Sequence, residues 1–148
     1  MRSIYDGVKV VTTIPPQTTI GSLVATVLNG TTVDTKGLNT GMIHAYAGTI
    51  TAAGTIVITV QESSDNSTWT NALDNTGVVI GFTLVPSAGV FQANSARIEG
   101  LNLNRKRYLR GVSSTTSSGG IASLCATIIM GRAYEEPEFA GSTNVSNT

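Results

Sequence analysis

The sequence predicts an all-β fold, a two-sheet β-sandwich of jelly-roll or immunoglobulin-like kind with an extended N-terminal arm and a C-terminal tail. Three observations carry that prediction. Hydrophobic residues make up 41% of the chain while charged residues make up only 12%, about half the ~25% usual in soluble domains. Thr, Ser, Asn and 16 Gly fill the gap, and these suit strands and turns better than solvated helices. Helical periodicity is missing, because Gly, Thr or Asn interrupts almost every window of about eleven residues. Strand periodicity recurs instead. In TIVITVQ (55–61), Ile56, Ile58 and Val60 share one face, and Thr55, Val57, Thr59 and Gln61 share the other.

At 148 residues the chain fits one domain. Residues 1–21 read as an arm. Pro15 and Pro16 in TIPPQTT remove two backbone donors and hold an extended conformation that does not belong inside a sheet. The sandwich spans 22–131. Its strands are read as SLVATVL (22–28), MIHAYAGTI (42–50), TIVITVQ (55–61), STWTNAL (67–73), GVVIGFTLV (77–85), VFQANSARIEG (90–100), RKRYLRGVSS (105–114) and IASLCATIIMG (121–131). Such spacing suits two facing sheets, with a closed barrel as the alternative. VDTKG (33–37) reads as a tight turn in which Gly37 takes a positive φ, with Asp34 and Lys36 dressing it. After Gly131 the alternation stops, and 132–148 reads as a tail that orders only against a neighbour.

The segment QESSDNSTWTNA (61–72) offers two readings. Ser63, Ser64, Asp65, Asn66 and Ser67 have short side chains that hydrogen-bond their own backbone and tolerate left-handed dihedrals, which is turn chemistry. As a calcium loop, Glu62, Asp65 and Asn66 would supply two carboxylates and one amide, short of the six to eight oxygens calcium takes. The turn is the better reading. Trp69 then opens the return strand on the face of Asn71 and Leu73, and its ring is expected to cover the sandwich interior.

Charge and motif content argue against several functions. Nine positive and nine negative residues cancel, so no overall field draws the chain to nucleic acid or an anionic membrane, and a charge-poor surface favours association. No segment approaches the ~18 apolar residues of a membrane span, and MRSIYDGVKV lacks the apolar stretch of a signal peptide. Cys125, the single cysteine, is expected as a buried, inert thiol in IASLCATIIM. His44 shares a strand face with Met42 and Tyr46 and reads as a packed or surface imidazole. No nucleophile elbow, phosphate loop, zinc spacing or paired-carboxylate motif is present, so neither enzyme activity, cofactor nor metal is expected.

Four of the nine cations fall in RKRYLR (105–110). On a strand, Arg105, Arg107 and Leu109 face one way and Lys106, Tyr108 and Arg110 the other, so some of this charge should meet acids. Glu135, Glu136 and Glu138 are the candidate partners, and pairing across a subunit boundary is the favoured arrangement. An edge strand studded with charge against stray pairing is the open alternative. A nucleic-acid patch is disfavoured by neutrality and by the scarcity of interleaved aromatics.

The order of VDTKGLNTGMIHAYAGTI, ITVQESSDNSTWTNA, RIEGLNLNRKRYLRGVSST and CATIIMGRAYEEP resembles that of small virion structural proteins of tailed bacteriophages, over roughly residues 33–137. These are similar to head decoration or cement proteins. The resemblance implies a homo-oligomer, in such proteins often a homotrimer, made in the host bacterial cytoplasm and located in the virion on the outer surface of the phage head. It implies binding to the major capsid protein, stabilising the lattice through subunit-bridging contacts. Pro15 and Pro16 of the arm, Arg105, Arg107, Arg110, Glu135, Glu136 and Glu138 form the expected subunit or capsid interface. The alternatives are a head-to-tail connector or tail component, assembled as a ring, and a fibre-type carbohydrate- or receptor-binding module. Eight aromatics, several needed by the core, make the last harder to build.

Overall fold

The structure, a computed structural model, describes residues 7–17, 27–48, 55–85, 90–98, 105–115 and 123–132. Among them there are ten strands and no helix: β1 (Val8–Gln17), β2 (Val27–Asn29), β3 (Val33–Asp34), β4 (Thr40–Ala47), β5 (Ile56–Ser63), β6 (Thr70–Asn71), β7 (Gly81–Leu84), β8 (Gln92–Ile98), β9 (Tyr108–Thr115) and β10 (Leu124–Gly131). One sheet runs β1-β10-β4-β8. The other runs β2-β9-β5-β6, with β3 added to β9 and β7 to β5. Every ladder is antiparallel. The two sheets pack face to face as the expected β-sandwich.

The core follows from alternation. Ile56, Ile58 and Val60 of β5 are fully buried, and from the other sheet Ile43, Ala45 and Ala47 of β4 meet Leu124, Ala126, Ile128 and Met130 of β10 in the same cluster. Burying such side chains contributes roughly 1.5–3 kcal/mol each for the larger ones, and each sheet presents its in-facing row because the side-chain period is two.

Residues 8–17 correct the expected arm. They form β1, an edge strand laid along β10 from Val8↔Gly131 to Gln17↔Leu124. Pro15 and Pro16 are tolerated because only one side of an edge strand bonds to a neighbour, and because register shifts between Thr12 and Ile14 and between Ile14 and Gln17 let the ladder step past them. The expected tail, apart from Arg132, lies outside the described residues, as do 22–26 of the expected first strand.

Thr13 ties this edge strand to the opposite sheet. Its hydroxyl accepts from the buried Gly111 amide of β9 at 2.9 Å and donates to the Thr31 carbonyl at 2.9 Å. Its own carbonyl accepts from Thr31 N at 2.6 Å, while Gly30 N donates to Gly111 O at 2.8 Å. A Cβ on Gly30 would stand 2.3 Å from Thr13 Oγ1 and 2.6 Å from Gly111 O, so only glycine fits this crossing.

Candidate interface

The hairpin after β5 is a turn. Asp65 Oδ1 accepts from Ser67 N at 2.9 Å, Thr68 N at 2.8 Å and Ser63 Oγ at 2.7 Å, and Oδ2 accepts from Thr68 Oγ1 at 3.0 Å. The amides of Thr68 and Ser67, with the Ser63 hydroxyl, hold the Asp65 carboxyl far below the usual range. Its oxygens are thus engaged by its own loop, and Asn66 takes φ of 59° as turn chemistry demands. The VDTKG turn also forms, with Gly37 at φ of 78° and Leu38 N donating to Thr35 O at 3.0 Å.

The RKRYLR cations find partners within their own chain. Arg105 Nη1 meets Glu62 Oε2 at 3.2 Å with both side chains nearly buried, 7% and 13% exposed, and its Nη2 donates to the Leu73 carbonyl at 2.7 Å. Lys106 N also donates to Glu62 Oε2, and Lys106 Nζ donates to Thr70 Oγ1. Arg107 grips Asp34 with two bonds, Nε to Oδ1 at 3.0 Å and Nη2 to Oδ2 at 2.7 Å. That guanidinium, helped by the Lys36 amide, lowers the Asp34 carboxyl to about 2. Arg110 donates from Nε and Nη2 to Gln61 Oε1 and lies 4.4 Å over the Trp69 ring.

Arg105 meets Glu62 and Arg107 meets Asp34 within the chain, while Glu135, Glu136 and Glu138, the partners expected across a subunit boundary, lie outside the described residues. The edge-strand alternative is corrected. Arg105, Lys106 and Arg107 precede the strand, and Tyr108–Arg110 open β9, which is no edge because it runs between β5 on one side and β2 and β3 on the other. Trp69 is half-buried on the outer side of its sheet beneath Arg110, and does not cover the interior. The buried residue of that return strand is Ala72, whose amide donates to Val60 O at 2.9 Å.

The remaining surface of interest is the outer face of the four-stranded sheet. Outward positions align across the ladders as Val10, Ile129, Met42 and Arg97, then Thr12, Thr127, His44 and Ser95, then Cys125, Tyr46 and Ala93. Cys125 is half-buried here and not in the core, because Leu124 and Ala126 take the inward positions. Val8, Val10, Met42 and Tyr46 are exposed, and Phe91, 61% exposed, stacks on Tyr46 with ring centroids 5.8 Å apart. Arg97 is the only permanent charge on these outward positions. A cleft of about 450 Å³ opens at one end of the face, lined by Val8, Thr40, Met42, Arg97, Ile129 and Gly131 among others.

Charge is unevenly placed along the chain. The described residues hold eight of the nine cations, but only four of the nine carboxylates, Asp34, Glu62, Asp65 and Asp74. All four are engaged by side chains or amides of the body. Comparison with known proteins finds no family model that matches the chain and no curated protein similar enough to count as a relative.

Proposed function

We propose that this protein is a component of a tailed-phage head, a decoration or cement protein that associates with itself, as a homotrimer, and with the major capsid protein. The observation that carries the reading is the charge-poor outer face of the four-stranded sheet, where Val10, Met42, Tyr46 and Phe91 stand in solvent around a row of Thr12, Thr127, His44 and Ser95, with Arg97 the one permanent charge. Exposed apolar side chains grouped on a face with so little charge favour association. Four strands ~4.8 Å apart and about eight residues long project to roughly 500 Å², most of one side of a standard interface of about 800 Å² per partner. The motif order described above supplies the phage context.

The mechanism is additive contact. A protein that binds only the assembled lattice stabilises it by mass action, and many copies on one shell act together. The test is co-sedimentation of the purified protein with undecorated heads. The unmodified chain is expected to bind, and a Tyr46→Ser, Phe91→Ser double variant with unchanged circular dichroism is expected to stay in the supernatant. Failure of the unmodified chain to sediment with heads would remove the decoration reading, and a single ring at a unique vertex would reassign it to a connector.

A further inference from the structure

We infer that the open edge of β8 docks β8 of a second copy, the two strands running antiparallel about a two-fold axis at Ser95 and joining two four-stranded sheets into one. β8 ends its sheet, and its register with β4 runs from Gly41↔Ile98 to Ala47↔Gln92 without a shift. Gly48 N donates to Ser123 O, so the even-numbered residues of β4 turn their backbone groups to β10 and the odd-numbered ones to β8. By the same alternation Gln92, Asn94, Ala96 and Ile98 bond to β4, while Ala93, Ser95 and Arg97 point their N–H and C=O groups away from it. Among the described residues no backbone group meets these three, and the Ser95 amide donates to the side chain of its own neighbour Asn94 at 2.8 Å. Edge strands that stay single are blunted by proline, lysine or a bulge. β1, the opposite edge, carries Lys9, Pro15, Pro16 and two register shifts, whereas β8, QANSARI, carries none of these.

A second copy fits this edge because β8 is complementary to itself. An antiparallel pair centred on Ser95 sets Ser95 opposite Ser95 and Ala93 opposite Arg97, so the three outward residues of each copy exchange both of their backbone bonds. The two Arg97 side chains then lie four residues apart along the joint, about 14 Å, beyond the ~8 Å screening length at physiological salt. A parallel in-register pair would set Arg97 directly against Arg97, which is destabilising. Ala93 is paired with Tyr46 of β4, on whose ring Phe91 stacks. Two strand spacings, roughly 10 Å, separate the incoming Arg97 from that ring across the small Ala93, and an aromatic face attracts a guanidinium. Ala93, Asn94 and Ser95 are exposed, and their short side chains leave the edge accessible. Beside it runs a groove of about 250 Å³ lined by Val78, Val79, Ala96 and Arg97 among others, with Val78 61% exposed, so the single chain leaves apolar surface next to the edge. The contact uses the edge of the sheet and leaves its outer face free. It rests on neither the threefold association nor the phage context proposed above.

The test is mild oxidation of the full chain carrying Ser95→Cys in a Cys125→Ser background. A thiol on the two-fold axis faces its own copy across ~5.5 Å between Cα atoms, within the span of a disulfide. The expected result is a covalent dimer that forms severalfold faster than with Ser64→Cys in the same background, an exposed position on the hairpin after β5. Equal rates at the two positions would overturn the inference. Ser95→Lys, at an exposed site outside the core, sets two ammonium groups against each other on the axis. It is expected to weaken self-association at least tenfold in sedimentation velocity with circular dichroism unchanged, and an unaltered mass distribution would overturn the pairing. Loss of head binding by Ser95→Lys, without a covalent dimer from Ser95→Cys, would also overturn it and give the edge to a strand of the capsid protein. Co-sedimentation of the unmodified chain with heads is read separately, so the decoration reading stands or falls on its own test.

Discussion

Replacing Thr13 by Val tests whether one hydroxyl joins the two sheets. The substitution preserves shape but removes an oxygen that is fully buried and serves both Gly111 N and the Thr31 carbonyl. The Gly111 amide is buried, so stranding it costs about 1–3 kcal/mol. Thr31 is exposed, so its carbonyl recovers water and adds less, and the new methyl returns up to ~0.8 kcal/mol. The net expected loss is about 2 kcal/mol, which for a domain of this size lowers the melting temperature by roughly 4–8 °C. Thermal and urea unfolding followed by circular dichroism measure it, with the urea slope unchanged. Ser113→Ala is the control, because Ser113 Oγ is buried without a partner and its removal should be neutral or stabilising. A Thr13→Val protein that melts with the native one would refute the latch.

Three further outcomes follow from the same geometry. Gly30→Ala forces a Cβ against two backbone oxygens and should cost more than ~3 kcal/mol, seen as loss of the cooperative melt near room temperature or of soluble protein. Glu62→Gln removes the charge of the carboxylate that the nearly buried Arg105 meets at 3.2 Å, and the urea midpoint should fall by the equivalent of about 2–3 kcal/mol. Asp34 is held at about 2, below its ordinary 3.8, so its ionised form stabilises the fold at neutral pH and that contribution fades as pH drops from about 4 to about 2. Asp34→Asn should therefore be less stable than the native chain at pH 7 by at most ~1 kcal/mol, because solvent screens a pair this exposed. The two should converge at pH 2 in urea titrations across pH.

What could be read from the sequence was what burial writes into neighbouring residues. Ile56, Ile58 and Val60 announce β5 because one face is dry and the other is not, and Gly37 and Asn66 announce turns because few residues accept a positive φ. β1 escaped for the opposite reason: its bulge sets Thr13 and Ile14 inward one after the other, which erases alternation, and two prolines disguise an edge. Partners of charge were illegible because pairing depends on register. Asp34 and Arg107 are 73 residues apart, and Glu62 and Arg105 are 43 apart. Trp69 does share its face with Asn71 and Leu73, but both are exposed in the fold, so that face looks outward and carries the ring with it. The charge-poor outer face was half visible in Met42, His44 and Tyr46, but its breadth needed β1, β8 and β10 beside β4.

The pairing of β1 with β10 also bears on how the chain is made. β1 is synthesised before its ladder partner, Leu124–Gly131, which emerges more than a hundred residues later, on the order of ten seconds at elongation rates of ~5–20 residues per second. During that interval the nascent strand holds Val8, Val10, Val11 and Ile14 without a sheet to join. Closure of the sandwich thus waits for β10 and is dominated by distant contacts, the slow kind. A nascent chain that still lacks Leu124–Gly131 therefore keeps the edges of β1 and β4 open, the kind of edge that pairs with a neighbour.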